Sequence, residues 1–150
     1  MPAVSGYGSA IDAYVEITVD GGTTWTDISG ATNSIDPDPT KRKFDESYVF
    51  GAEDALVGLG KNEAVNIKMG VLYTEGATDP FQLVLDAYIN KTTVQFRWTP
   101  FGNVSGNKRY TTGDGKVFEF QYPKAKADEA KLIMCELQIR ASGITQDEVP

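Results

Sequence analysis

AVNIKMGVLYTEGATDPFQLVLDAYIN, residues 64–90, pairs an alternating strand with the one substantial helix that the sequence predicts. Val65, Ile67, Met69, Val71 and Tyr73 recur at every second position, with Asn66, Lys68 and Gly70 between them. That is the period of a strand with one buried face. A cover for that face follows directly. Asp79 suits an N-cap, Pro80 the first helical position, and Gln82 the return arm of a capping box. Phe81, Val84, Leu85, Tyr88 and Ile89 then fall on one side of a helix ending at Asn90. Burying that stripe contributes about 8–12 kcal/mol at about 2 kcal/mol per side chain, an upper bound because the unfolded chain already shields part of it. Strand and helix together are expected to nucleate the core.

Outward from this pair, the chain has the size and apolar content for a single domain, with 150 residues of which 41% are hydrophobic. The formal charge of −7 argues against a nucleic-acid-binding surface, which needs clustered Lys and Arg. There is no histidine and one cysteine, Cys135, in an apolar strand. These counts remove the usual general base, the usual triad partner and the familiar zinc sites. Carboxylate-only hydrolysis stays possible in principle, but no pair is singled out. No catalytic, cofactor or metal residue is therefore assigned, and no cofactor is expected. The amino terminus lacks a basic region followed by an apolar one, and no run is long enough to span a bilayer. The reading is a soluble protein made in the cytoplasm, with no membrane partner.

Residues 1–12, rich in Gly, Ser and Ala, read as a loose arm, and residues 141–150 as a polar tail. Between them Ala13, Val15, Ile17 and Val19 alternate with Tyr14, Glu16 and Thr18 as a strand, which ends at Asp20-Gly21-Gly22. Asp and Gly tolerate the positive φ of a tight turn, so a hairpin is expected, with Trp25 to Ile28 returning and Trp25 packing over the turn. Thr18 to Trp25 also resembles the Asp-box of sialidase-like propellers, S-x-D-x-G-x-T-W, a structural turn that recurs in those proteins and occurs once here.

Ser29 to Asn62 reads as a long irregular segment. Asp36-Pro37-Asp38-Pro39 speaks against a strand because proline interrupts a ladder. A calcium role for the two aspartates fits no EF-hand spacing. Lys41, Arg42 and Lys43 form a concentrated basic cluster, followed by Phe44, Tyr48, Phe50, Leu56 and Val57 with Glu53 and Asp54 among them. So long a loop, from about 36 to 62, with so much apolar surface is expected to fold against another subunit, its basic triplet meeting an acidic surface near Glu53 and Asp54 of a neighbour.

Further on, Val94, Phe96 and Trp98 mark another strand. Lys108–Thr112 and Lys116–Tyr122 flank Gly113-Asp114-Gly115 as a second hairpin, with Phe118, Phe120 and Tyr122 on one face. A last strand over Lys131–Arg140 turns Ile133, Cys135, Leu137 and Ile139 inward. Asn90-Lys91-Thr92 and Asn103-Val104-Ser105 fit the glycosylation pattern, but without an export signal both are set aside. Together these elements predict an α+β domain: an antiparallel β-sandwich or partly open barrel with one flanking helix, at about 79–90.

The sequence resembles the major tail, or tail tube, proteins of long-tailed bacteriophages. The resemblance lies in VEITVDGGTTWTDISG at 15–30, the long loop ending in Gly60-Lys61-Asn62-Glu63, VLYTEGATDPF at 71–81, Phe96-Arg97-Trp98-Thr99-Pro100, and Lys108-Arg109-Tyr110-Thr111-Thr112. It implies a sandwich flanked by a helix, hexameric rings stacked into a tube through which DNA leaves the capsid, and a long loop that bridges subunits. It further implies partners in itself and in tail terminator, tape-measure and tip proteins, and a place in the virion tail, assembled in the host cytoplasm. A repeated negative charge would let DNA slide without binding, and pairing of edge strands between subunits would close an inner barrel. Candidates to line its lumen are Glu16, Glu119, Glu136 and Gln138. The alternative is a carbohydrate-binding or adhesion β-module, stacking sugars on Trp25, Trp98, Tyr48 or Tyr110 if these are exposed.

Overall fold

The computed structural model describes residue 8, residues 10–125 and residues 132–150. In chain order the strands are β1 (Tyr14–Thr18), β2 (Thr26–Asp27), β3 (Thr32–Pro37), β4 (Arg42–Ser47), β5 (Leu56–Asn62) and β6 (Val65–Leu72). After the helix α1 (Pro80–Ile89) come β7 (Gln95–Thr99), β8 (Lys108–Thr112), β9 (Gly115–Phe120), β10 (Met134–Ala141) and β11 (Ile144–Glu148). They form a five-stranded sheet in the order β11-β8-β7-β1-β2, a four-stranded sheet in the order β3-β6-β10-β9, and a separate ribbon β4-β5. All pairings are antiparallel. The expected α+β sandwich with one flanking helix is the fold observed.

Strand β6 holds the central place that its periodicity predicts, between β3 and β10. Its Val65, Ile67, Met69 and Val71 are buried, and they lie opposite Ala141, Ile139, Leu137 and Cys135 of β10. Val15 and Ile17 of β1 and Phe96 and Trp98 of β7 meet this layer from the other sheet in one continuous core. The helix joins the same core through Phe81, Val84 and Ala87. Phe81 lies edge-on to Tyr73 at 4.9 Å and near Phe120 at 5.6 Å, and Tyr88 stacks on Phe120 at 5.8 Å.

Two details of the helix differ from expectation. The capping box does not form: Asp79 accepts from the Gly76 N–H at 3.1 Å, and Gln82 donates to Asp86 at 2.8 Å. Asp79 is engaged in the tight turn before the helix, and Pro80 carries no N–H to satisfy. The buried stripe is also rotated. Ala87 replaces Ile89, which is 57% exposed, and Leu85 is half-buried, because the helix rests against β9 and β6 with the small Ala87 at the contact.

The first hairpin is present, although β2 is only two residues long. Gly21 and Gly22 have φ of 77° and 98°, the left-handed region that the turn requires. The second predicted hairpin is not one. β8 belongs to the five-stranded sheet and β9 to the four-stranded sheet, so the chain changes layers at Gly113-Asp114. A second crossing, Ser142-Gly143 between β10 and β11, runs beside it: the Gly113 N–H donates to Gly143 O at 2.8 Å, and the Ser142 N–H to Asp114 O at 3.1 Å. Gly115 sits at this corner, hydrogen-bonded both ways with Val94 and opposite Ala141. The expected aromatic face of this strand is broken by a β-bulge. Val117 pairs with Ile139 and Phe120 with Leu137, which turns both inward and leaves Phe118 48% exposed.

The carboxyl-terminal residues form strand rather than tail. β10 runs through Ala141, and β11 pairs with β8 from Ile144↔Thr112 to Glu148↔Lys108. Ordinary alternation is absent from ITQDE because β11 is an edge strand with little buried surface, held by ladder bonds and ion pairs. Lys131, at the start of the predicted last strand, lies outside the described residues, as does most of the proposed arm at 1–12. Ala10–Asp12 forms a short 3-10 turn.

Candidate functional site

The segment expected as loop from about 36 to 62 is largely strand. β3 includes Asp36 and Pro37 because it is an edge strand and Pro37 is its last residue, where a missing N–H breaks no ladder. The chain then leaves the sandwich as the β4–β5 ribbon. At its base the Glu63 N–H donates to Lys41 O at 2.8 Å. Every residue of both strands is exposed.

Register sorts the ribbon's side chains onto two faces. The pairs Phe44↔Leu59 and Glu46↔Val57 share one face, and Asp45↔Gly58 and Ser47↔Leu56 the other. Phe44, Val57 and Leu59 are 67–73% exposed, and Phe50, in the connecting turn with Tyr48, Glu53 and Asp54, is fully exposed. The contact residues predicted from sequence therefore lie on one projecting element. The basic triplet does not act as a unit. A bulge between Arg42 and Phe44 sets Lys43 apart, and its ammonium pairs with Glu63 at 2.9 Å, which holds the Glu63 carboxyl below the usual range. Lys41 and Arg42 make no ion pair among the described residues. They border a groove of about 570 Å³ whose apolar wall is Phe44, Val57, Leu59 and Ile144.

The lumen candidates do not share a face. Glu119, Glu136 and Gln138 lie together on the outer face of the four-stranded sheet. A row crosses all four strands there: Asp36, Lys68, Gln138 and Glu119 stand opposite one another in register, and the Gln138 amide donates to Glu119. Arg140 and Lys116 are opposite each other further along, so carboxylates and cations interleave. Glu16 belongs to the outer face of the other sheet, where it is 8% exposed and accepts two hydrogen bonds from Arg97, at 2.8 and 3.1 Å. The Arg97 guanidinium also covers the Trp25 ring at 4.1 Å. Arg109 and Asp147 continue this array, and their ion pair depresses the Asp147 carboxyl and raises Arg109.

The Asp-box-like turn is a self-contained hydrogen-bonded unit. Thr18 donates to Asp20 at 2.7 Å, the Thr24 N–H donates to the same carboxylate oxygen at 2.9 Å, and the Gly22 N–H donates to Thr18 Oγ1 at 3.1 Å. Those bonds hold the Asp20 carboxyl below its ordinary range. Trp25 closes the turn under Arg97, and Trp98 is buried and stacked on Tyr110 at 6.0 Å. Of the aromatics considered for sugar stacking, only Tyr48 is open to solvent. Cys135 is buried, which pushes its thiol up. Among the described residues no group of three or more His, Cys, Asp and Glu is placed to hold a metal, and no helix is long and apolar enough to cross a membrane.

No protein-family model and no curated protein sequence matches the chain. Solved structures do. The chain superposes on a protein of the extended sheath–tube complex of an extracellular contractile injection system, PVC, with a TM-score of 0.71 and 14% identity, covering 95% of this chain and 93% of that one. It matches the SPP1 tail tube protein with a TM-score of 0.68 and 11% identity, over 91% of this chain and 77% of that one. A protein from the tail of an empty GTA particle matches with a TM-score of 0.66 and 11% identity, over 96% of this chain and all, 100%, of that one. The chain therefore has the fold found in the proteins of these tails and tubes.

Proposed function

We propose that this chain is a structural subunit of a tail tube, assembling with itself into stacked rings, six subunits to a ring, around a channel that conducts DNA. The observation that carries the reading is the β4–β5 ribbon, which holds Phe44, Tyr48, Phe50, Val57 and Leu59 in water on an element with no core of its own. Apolar surface of that kind is covered by a partner in a working assembly.

The rest of the molecule supports the same reading. Among the described residues the four-stranded sheet has β3 and β9 as its edge strands, β9 being bridged only at Gly115, to Val94, and pairing one copy's β9 with the next copy's β3 would close a continuous barrel. Its outer face, with Glu119, Glu136 and Gln138, then lines the channel. Carboxylates interleaved with Lys68, Lys116 and Arg140, on a chain of net charge −7, give phosphates no concentrated positive track to hold. Glu16, tied to Arg97 within the five-stranded sheet, stands on the outer wall, away from the channel. The role is mechanical rather than enzymatic. Terminator, tape-measure and tip proteins are the further partners, and a particle tail assembled in the host cytoplasm is the location. A sugar-binding module is disfavoured because Trp25, Trp98 and Tyr110 are occupied within the fold.

Electron microscopy of the purified protein tests this directly. Rings or tubes with an axial channel are expected at high concentration; uniformly dispersed monomers would contradict the proposal.

A further inference from the structure

We infer that the peptide bond between Asp38 and Pro39, where the chain leaves the sandwich for the ribbon, is a self-cleavage site in mild acid. The inference is independent of the tube-subunit reading. An aspartate followed by proline carries both halves of the reaction. The side-chain carboxylate attacks its own main-chain carbonyl carbon, forming a C–O bond and closing a cyclic anhydride. The C–N bond to proline breaks, and its electron pair stays on the proline nitrogen. That nitrogen comes from a tertiary amide with no N–H, so it takes a proton from the acidic solvent and leaves as a secondary ammonium. One water molecule then opens the anhydride and restores two carboxyl groups. The net reaction consumes one water and needs no oxidant, metal or second protein.

Such bonds follow Asp36, Asp38 and Asp79, and the fold treats them differently. At Asp79 both reacting groups are restrained. The carboxylate accepts from the Gly76 N–H at 3.1 Å, and the carbonyl that would be attacked accepts from the Leu83 N–H, also at 3.1 Å. Pro80 is fixed as the first residue of α1. At Asp36 the bond lies within β3, opposite Lys68 and Ile67 of β6, so making its carbonyl carbon tetrahedral bends the ladder. Asp38 stands one residue beyond β3. Its N–H is held by the Asn66 carbonyl at 2.8 Å, but among the described residues its own carbonyl accepts no backbone hydrogen bond. Pro39 is exposed, so water reaches the bond. The charged side chains that line the cleft beside Asp38 are Lys41, Glu63 and Arg140, and among the described residues Asp38 forms an ion pair with none of them.

The cut leaves the folded body together. Piece 1–38 keeps β1 paired with β7 and β3 paired with β6, with Val15, Ile17 and Ile28 in the common core. The ribbon loses one of its two covalent attachments and stays tethered through residues 63–64 to β6.

Intact-mass spectrometry of the full chain tests this. The protein is kept dilute at about pH 4, the ordinary carboxylate range, or at the lowest pH above it that preserves the native near-ultraviolet circular dichroism. A parallel sample is unfolded in guanidinium chloride at the same pH, and both are read when half of the unfolded chain has been cut. The folded protein is expected to give pieces 1–38 and 39–150, whose masses sum to that of the chain plus one water, at least about tenfold ahead of cuts after Asp36 and Asp79. In the unfolded sample the three yields are expected to lie within about threefold of one another, because the restraints are gone. Asp38→Ala removes the nucleophile and Pro39→Ala restores an ordinary amide, so each is expected to abolish the cut at 38–39 without changing the circular dichroism. The two pieces are expected to elute together on a native sizing column, and their separation would refute the retained fold. No cut at 38–39 in the folded protein, the same ranking of cuts in both samples, or a cut that persists in Asp38→Ala would overturn the inference.

Discussion

Replacing Gly115 by alanine tests the corner on which both sheets depend. A Cβ at this position would lie 2.7 Å from the Arg140 carbonyl oxygen and 3.0 Å from both Cα and Cβ of Ala141. These neighbours include main chain in the adjacent strand β10, so no side-chain rotation relieves the clash. Nor is Gly115 free to move the other way, because it exchanges hydrogen bonds of 2.8 and 3.0 Å with Val94. Overpacking costs about 1–3 kcal/mol, and a backbone obstacle belongs at the upper end of that range. The stiffer unfolded chain offsets up to about 1 kcal/mol. A net loss of about 1.5–2 kcal/mol is left, equivalent to a fall in Tm of roughly 3–8 °C for a domain of this size. Thermal and urea unfolding of the isolated subunit provide the assay, with an unchanged m-value expected. The control is Gly58→Ala on the exposed ribbon, where an added Cβ meets nothing within 4 Å. If Gly115→Ala melted with wild type and Gly58→Ala, the close approach of β9 and β10 at the sheet crossing would be wrong.

Other perturbations report on separate parts of the molecule. Phe81→Ala removes a buried ring packed on Tyr73 and Phe120 and is expected to cost about 3–5 kcal/mol, whereas half-buried Leu85→Ala should cost less than about 2 kcal/mol; equal unfolding midpoints would contradict the rotated helix stripe. Arg97→Ala strands the mostly buried Glu16 carboxylate and uncovers Trp25, so a loss of about 2–3 kcal/mol is expected, with Glu16→Gln plus Arg97→Ala less harmful than the sum of the singles in a double-mutant cycle. The Asp147 carboxyl is depressed by its hydrogen bond from Arg109, so its contribution is fully present above the ordinary carboxylate range near pH 4 and is lost as pH falls through the depressed folded value. Protection of β11 amides, taken relative to their intrinsic exchange rate, should therefore fall below about pH 4, and Asp147→Asn should lack that step. Deleting residues 41–59 is expected to leave a folded subunit that no longer polymerises, and undiminished tube growth by light scattering would remove the ribbon from the assembly mechanism.

Agreement between sequence and structure follows how local each feature is. β6 and β1 were legible because alternation on a strand with one buried face depends only on that strand. The Asp20-Gly21-Gly22 turn was legible because positive φ at Gly21 and Gly22 is a local demand. The candidate contact residues were found through composition, since Phe44, Tyr48, Phe50, Leu56 and Val57 are too apolar for a solvated loop. Their arrangement as a ribbon was not, because neither β4 nor β5 buries a face against the body and so neither displays a clean period. The same holds for β11, whose ITQDE, exposed after the half-buried Ile144, is a strand only because it pairs with the edge of β8.

Residue order and composition were enough for a mainly antiparallel sandwich with a covering helix, without histidine, and with apolar side chains in the 44–59 segment beyond what the core needs. These follow from periodicity, residue counts and turn chemistry, each confined to a few neighbouring positions. Tertiary structure alone decided that the chain crosses between sheets at Gly113 and Ser142, that the bulge at Phe118 turns Phe120 under the helix, and that Glu16 belongs to the opposite wall from Glu119, Glu136 and Gln138. Each of those depends on which distant strand lies alongside. The pairing energy that selects it is spread over long-range ladders and leaves no signature in the residues that turn the corner.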